Sequence, residues 1–551
     1  MNGINKLSAA QALIESLLAE NVDTIFGIIS SHTMEIFDVL YDQQDNIQFI
    51  SARHEHAAAM MADGYARVTG RPGICLTSTG PGAANSMGGL GEAYFASSPV
   101  LNITSTSEQT LFERGLGPIH ETKDQRGMLS SVTQNAYHVN TPQDIPKLIH
   151  NAFTRFGTVR PRPISIQIPV DLQGKINDFN TPDPVPAPLQ KANDNSVKKA
   201  AALILKSKRM GILAGTGIHR SGASQELTNL VEKLGVPVFT TANGKGSIAE
   251  DHPLSLGMYG GEYEFPPGNL VDPRQTFANS LDTLLVVGSS LSWFRAKSQG
   301  LKQPPNLIHM DIDPQSIGNW YETTVSLIGD ARTILSQLSA SIAEQSSQME
   351  MGFSNEIRRY KTEIKLYKRQ SMPKETAIME TIRTVTERDA IFVGDVSICN
   401  HRGSNYCLET YVERSYLTPA WGGLGFGLPA AMGAKAATPH RQVVCISGDG
   451  GFQFNIQELG TCLQYGLNPV VILFNDNAWG LLRQYQKAKG DRYIASNLLN
   501  PDFVKVAEAY GAYGISVSNL EELGPALEKA LNNNTMTIVE VLTPDGFANF
   551  V

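Results

Sequence analysis

The chain has 551 residues, 42% of them hydrophobic and 18% charged, and a net charge of -8. This length exceeds what a single hydrophobic core organises and calls for about three domains at roughly 100 to 200 residues each. The acidic balance leaves no basic footprint for nucleic acid, and no stretch approaches the ~18 uninterrupted apolar residues of a membrane span.

MNGINKLSAAQALIESLLAENV opens the chain as a predicted amphipathic helix, with Glu15 and Glu20 where a signal peptide would be unbroken and apolar. Short runs rich in Val and Ile then alternate with helical patterns: DTIFGI, GICLTS, VLNITS and ISIQIP; MGILAG, LLVVGS and LIHMDID; AIFVGD, VVCISG, VVILFN and TIVEVL. Buried parallel strands separated by helices account for this rhythm, giving an α/β fold of doubly wound sheets. Two polar segments, Asn177 to Ser196 and Ser341 to Glu356, interrupt it and read as linkers. They cut the chain into units at 1–180, 190–345 and 365–551. The first and third units echo each other. In both, a strand is followed by a glycine turn (Gly80 and Gly82; Gly448 and Gly450), a helix, and a strand that opens on Pro99 or Pro469. Five scattered cysteines without CxxC spacing argue against a disulfide framework or a zinc site, and a reducing cytoplasm is expected.

Several residues stand where a strand gives way to a helix. Ser31 and His32 follow the first strand in GIISSHTMEIFDVL, and Glu55 opens the helical ARHEHAAAMMADGYARVTGRPG. As an isolated feature, a carboxylate there complements a helix N-terminus. In the third unit GDGGFQF places Asp449 after one strand, and VVILFNDNAWG places Asp476 after the next, 27 positions on. Adjacent parallel strands bring both side chains to one sheet edge. With a backbone carbonyl just beyond, they describe a hard-cation site completed by the oxygens of a phosphorylated cofactor. The plainer reading makes Asp449 a helix cap and Asn475–Asp476 a turn.

GDG followed after a helix and a strand by an Asn-containing pair resembles the metal-diphosphate motif of thiamine diphosphate enzymes. The resemblance runs over essentially the whole chain and is closest to the acetolactate synthase-like branch, which includes pyruvate decarboxylase, benzoylformate decarboxylase and benzaldehyde lyase. It implies three domains: pyrimidine-binding, central, and diphosphate-binding. It implies Mg²⁺ held by Asp449, Asp476 and the Ala478 carbonyl, with Asp476 where the family usually has Asn, and a cofactor contacted by Gly448, Gly450 and Gly451. Glu55 would bond N1' of the aminopyrimidine, so that its 4'-nitrogen can take the C2 proton. In TPAWGGLGFGLPAAMGAK, Leu424 would prop the two rings into a V and the Gly422 carbonyl would accept a bond from the 4'-amino group. His32 matches a proton-relaying histidine of benzaldehyde lyase, with Ser31 beside it, and His120 of GLGPIHETKDQ stands where acetolactate synthases carry glutamine. Leu481 and Tyr485 align with the residues that select the second 2-oxo acid. The Gly-Gln-His of acetolactate synthases is replaced here by Gly394, Asp395 and Val396, which leaves backbone N–H groups and Ser397 to hold phosphate. In the central unit AGTGIHRSGA and HMDIDP resemble the family's FAD domain, but GSSLSW replaces the arginine-bearing stretch typical of flavin binders, which speaks against FAD.

The implied activity is that of a decarboxylase or carboligase: a C2 carbanion adds to a 2-oxo acid, CO₂ leaves, and the enamine passes to a proton or a second carbonyl. The alternatives are a carbon-carbon lyase or hydrolase acting on hydroxy ketones or diketones, and a catalytically inactive homologue. The family's architecture implies a homodimer or homotetramer with active sites between subunits.

Overall fold

The computed structural model describes residues 5–180, 188–260, 271–345 and 354–543. It contains three six-stranded sheets, each wholly parallel. The first sheet runs Gln48–Ser51, Thr24–Gly27, Gly73–Thr77, Val100–Thr106, Ile164–Pro169 and Asn135–His138, in spatial order. The third runs Tyr416–Leu417, Ile391–Gly394, Val443–Gly448, Val470–Asn475, Thr537–Leu542 and Tyr513–Val517. Ranked by place in the chain, both orders are 2-1-3-4-6-5, so the echo seen in the sequence extends to the whole topology. The central sheet, from Ser255–Met258 at one edge to Val325–Ile328 at the other, is ordered 3-2-1-4-5-6, the arrangement of dinucleotide-binding folds.

The strands legible as apolar runs are the inner ones. Gly73–Thr77, Val100–Thr106 and Val470–Asn475 are buried along their whole length, as a strand covered by helices on both faces must be. The first and third units share one core. Met60 and Tyr65 from the Glu55–Thr69 helix pack with Phe426, Leu428 and Met432 on or beside the Gly427–Ala437 helix. The backbones nearly touch where these helices cross. A Cβ at Gly64 would lie 2.2 Å from the Ala430 carbonyl oxygen, and one at Gly433 1.9 Å from that of Met61. The central unit is tied on by a buried ion pair: Lys245 Nζ stands 2.9 Å from both Glu250 oxygens and donates to the Leu408 carbonyl, while Glu250 accepts from the Thr410 amide.

Three expectations need correcting. The N-terminal helix begins only at Ala9, because Asn5–Ser8 pairs antiparallel with Ile176–Phe179, and Ser8 caps the helix. That pairing and the helix from Asp194 occupy both ends of the first linker, whose residues 181–187 lie outside the described ones. The second linker is likewise flanked by the helices Ala331–Gln345 and Ser354–Ser371, with 346–353 outside the described residues. All five cysteines are free and buried, and among the described residues no helix is long and apolar enough to cross a membrane.

Candidate active site

In open α/β sheets ligands bind at the carboxyl ends of the strands where the chain reverses its direction across the sheet. In the third sheet that point lies between Ile391–Gly394 and Val443–Gly448. Asp449 follows the latter strand directly and is 3% exposed. Its carboxylate accepts a bond from the Asn500 amide at 2.5 Å, and no side-chain cap is formed at this helix start. Asp476 follows the adjacent strand, whose Phe474 pairs with Gly448. Asn475 turns away: its amide donates to Glu540 and its carbonyl accepts from Asn500. Asp476 accepts from the Ala478 amide at 3.2 Å, across a turn in which Asn477 takes φ 52°. The turn expected at Asn475–Asp476 is present, whereas Asp449 does not cap the helix that it opens.

Burial pushes the Asp449 carboxyl above the usual carboxylate range. Asp476 is pushed up to about 7, by burial first and by the neighbouring Asp449 second. Two half-dehydrated carboxylates with an oxygen-only donor set suit a hard divalent cation. Among the described residues no three His, Cys, Asp or Glu side chains cluster as a metal site, so an ion here would complete its shell from the Ala478 carbonyl, water and a bound ligand. Mg²⁺ fits that set. Around it the walls are close: a Cβ at Gly450 would lie 2.4 Å from the Trp479 ring, one at Gly480 2.2 Å from Asp476 Oδ2, and one at Gly448 3.2 Å from Ser397 Cβ. A Cβ at Gly451 would meet Asp395. Ser397 Oγ accepts from the Asn400 amide at the start of a π-helical turn. Asp395 is fully buried and accepts from Val396 and Gly425 amides and the Ser447 hydroxyl, so it braces the strand ends and does not face a ligand.

The matching reversal in the first sheet lies between Thr24–Gly27 and Gly73–Thr77. Ser31 and His32 follow the one strand; Gly80 follows the other. Ser31 Oγ is 3.4 Å from His32 Nδ1, and the His32 ring lies 5.0 Å from that of His120, 88 positions away. Burial and then the neighbouring His120 hold the His32 imidazole below its ordinary value. His120 is exposed and takes φ 65°, a conformation a non-glycine residue adopts at a cost of order 1–3 kcal/mol. Its carbonyl presses on Gly80, where a Cβ would lie 2.2 Å away. Glu55 is the first residue of its helix, and its carboxylate accepts from Asn85 Nδ2 at 3.0 Å. A Cβ at Gly82 would lie 3.1 Å from Glu55 Oε1, so glycine leaves room above the acid.

Gly422 and Leu424 lie on the segment leading from Tyr416–Leu417 to the Gly427–Ala437 helix. Gly422 is exposed with φ 92°, and Leu424 is half-buried. Leu481 and Tyr485 share one face of the Gly480–Ala488 helix, none of whose residues is buried. Sequence reasoning missed Gln125, Asn500 and Asn85. Gln125 is buried and holds the glycine turn in place: it accepts from the Gly80 amide and Thr79 hydroxyl and donates to the Ser105 carbonyl. Asn85 stands inside the Pro81–Phe95 helix, Gln125 opens a short helix and Asn500 lies in a loop, and in each case only the fold reveals the partner. A separate cavity of about 450 Å³ opens where the three units meet, at the central sheet's own reversal, lined by Thr216, Gly217, Ser289, Arg160, Arg220 and Ala420.

Three signatures of one family match the chain: "Thiamine pyrophosphate enzyme, N-terminal TPP binding domain" over residues 7–129, the central domain over 197–338, and the C-terminal TPP binding domain over 396–541. The chain is 33% identical over 557 residues to a probable acetolactate synthase large subunit of Methanocaldococcus jannaschii, covering 97% of this chain and 92% of that protein. It is 32% identical to a probable 2-ketoarginine decarboxylase of Pseudomonas aeruginosa (97% and 94% covered) and 32% identical to the acetolactate synthase isozyme 3 large subunit of Escherichia coli (98% and 95%). Three parallel-sheet units with acids at their strand ends, and similarity along nearly the full length, place the chain in the thiamine pyrophosphate enzyme family.

Proposed function

We propose that the protein is a thiamine diphosphate- and Mg²⁺-dependent decarboxylase or carboligase of 2-oxo acids. Buried Asp449 at the third sheet's reversal, with half-buried Asp476 at the end of the adjacent strand, is the observation that carries this reading. Residues 1–180 take the cofactor's pyrimidine, 365–551 its diphosphate through the metal, and 190–345 join the two. The bound cofactor supplies a thiazolium carbon able to attack a carbonyl and to accept the electrons released with CO₂.

The chain's own residues do the rest. Asp449, Asp476 and the Ala478 carbonyl hold Mg²⁺, and Gly448, Gly450, Gly451 and Ser397 form the wall against the diphosphate, Ser397 from its place opposite Gly448. Glu55, steadied by Asn85, shares a proton with the pyrimidine ring nitrogen. The Gly422 carbonyl accepts the ring's amino group, and Leu424 sets the angle between the rings. His32 is kept neutral by burial and so can take a proton; beside it His120 faces solvent and can return one. Leu481 and Tyr485 form the acceptor wall. Exposed Leu116, Ile119, Trp421, Phe454, Leu482 and Leu499 support an assembly in which Glu55 of one subunit meets the metal site of another, a homodimer or homotetramer. The three-unit cavity has arginines for an anion, but the Gly288–Trp293 stretch contributes none, so FAD is not part of the proposal.

The deciding experiment incubates the metal- and cofactor-loaded protein with a panel of 2-oxo acids, including 2-oxoacids with a guanidinium tail, and measures CO₂ and ligation products. CO₂ from at least one is expected. The His32–His120 pair favours a second reading, cleavage of 2-hydroxy ketones; aldehyde released from such substrates with no CO₂ from any 2-oxo acid would establish that reading instead.

A further inference from the structure

The segment carrying Gly422 and Leu424 is held by a buried charged group that the reaction itself does not use. Glu92, on the Pro81–Phe95 helix of the first unit, is fully buried. One of its carboxylate oxygens accepts the Ala420 amide, and the other accepts the Trp421 amide at 3.1 Å. Arg67 stands 3.2 Å from Glu92 and is gripped by Asp63 at 2.6 and 3.0 Å; its remaining nitrogen donates to the Thr418 carbonyl at 2.8 Å. Trp421 lies flat along the same helix, stacked on Phe95 at 5.6 Å and over Gly91, where a Cβ would meet its ring at 2.1 Å. The far end of the segment is tied too: the Gly425 carbonyl accepts from Asn455 at 2.7 Å and its amide donates to Asp395 at 3.2 Å. Between these anchors only Gly422, Gly423 and Leu424 span free, and nothing lies within 4 Å of a Cβ placed at Gly422.

We infer that Glu92 is a positioning residue: the Glu92–Arg67–Asp63 group sets where the Gly422 carbonyl and the Leu424 side chain stand. Burying three charges away from water is costly unless each is hydrogen-bonded, and here the bonds end on three backbone groups of one loop, at Thr418, Ala420 and Trp421. A group serving only the core would have no need to terminate on the backbone of an otherwise glycine-rich span. The role assigned to Glu92 rests on the proposed cofactor contacts of Gly422 and Leu424.

The test is Glu92→Gln, which keeps the shape but leaves one accepting oxygen and turns an amide group toward Arg67 or a backbone N–H. Folding is checked by melting temperature, and three quantities are read: thiamine diphosphate affinity at saturating Mg²⁺, kcat and KM on a turned-over substrate, and hydrogen exchange of the 418–425 segment. The expected result is a kcat lower by roughly 10- to 100-fold, as for a catalytic contact displaced by an ångström or less, with cofactor affinity within about threefold of wild type because the metal and diphosphate contacts are untouched. Exchange in 418–421 should speed up in the variant. Unchanged kcat with unchanged exchange overturns the positioning role while leaving the proposed function standing; a wild-type protein that binds no thiamine diphosphate overturns both. Should the variant not fold, exchange in the wild type decides: Ala420 and Trp421 amides as fast as those of exposed loops would contradict the anchor.

Discussion

In the proposed metal site Asp476 places a second acid beside Asp449. An amide gives a cation one oxygen at no electrostatic cost, whereas a second carboxylate beside Asp449 must be offset by the cation itself. In the proposed reaction Glu55 is the group that shares a proton with the cofactor's pyrimidine. Glu55→Gln removes the acid but keeps the size, so thiamine diphosphate binding should persist while turnover falls by about 10²- to 10⁴-fold, the range for a lost proton-transfer group; calorimetry and CO₂ release together check this. Equal losses in binding and turnover would make Glu55 a binding residue only. Asp449 and Asp476 were legible in the sequence because each follows an apolar run, and Glu55 because it opens a clear helical pattern. His120 was legible only as a departure from glutamine: its contact with His32 is made by a loop of positive-φ and polar residues, which periodicity cannot place.

At the scale of elements, the crossing of the Glu55–Thr69 and Gly427–Ala437 helices couples the first unit to the third. The approach is possible only because Gly64 and Gly433 present no side chain. Gly433→Ala should force the helices apart at a cost of about 1–3 kcal/mol, read as a lower melting temperature, and should weaken activity through the segment leading to Leu424. A variant as stable as wild type would mean that the helices slide without cost. The apolar runs were read correctly as inner strands, although the buried three-residue inner strand Val238–Thr240 was passed over, and the edge strands Gln48–Ser51, Asn135–His138 and Tyr513–Val517 were missed. Their mostly exposed or half-buried residues break the hydrophobic signal, and their existence depends on a neighbour supplied from elsewhere in the chain. The antiparallel pair Asn5–Ser8 with Ile176–Phe179 was missed for the same reason, since one partner lies in a stretch that looks like a linker.

Across the whole molecule, the junction of the three units contains His219, whose ring Nε2 donates to the Lys245 carbonyl at 3.0 Å and whose own carbonyl accepts from Arg414. Burial pushes its imidazole down to about 4, with Glu413 opposing and Arg414 and Arg220 reinforcing. The folded protein therefore keeps His219 neutral where the unfolded chain, with an ordinary value near 6.5, takes a proton. Stability is full above pH ~6.5 and is lost as pH falls toward ~4, by up to about 1.4 kcal/mol per unit from this group. His56 and His309, also lowered by burial, act in the same direction. Denaturant unfolding between pH 7 and 5 should show this slope, and His219→Gln should flatten it; an unchanged slope would remove His219 as its source.

The identical 2-1-3-4-6-5 order of the first and third sheets places Ser31, His32 and Gly80 at one reversal and Asp449 at the corresponding other, with Glu55 after the edge strand beside the first. The most direct test is a calorimetric titration of thiamine diphosphate into chelator-stripped protein with and without Mg²⁺. One cofactor per chain should bind with Mg²⁺, and neither the stripped wild type nor Asp449→Ala with Mg²⁺ should match that affinity; Asp476→Asn should require more Mg²⁺ to reach it. Binding of equal strength with and without the metal, or no binding at all, would contradict the metal-bridged site.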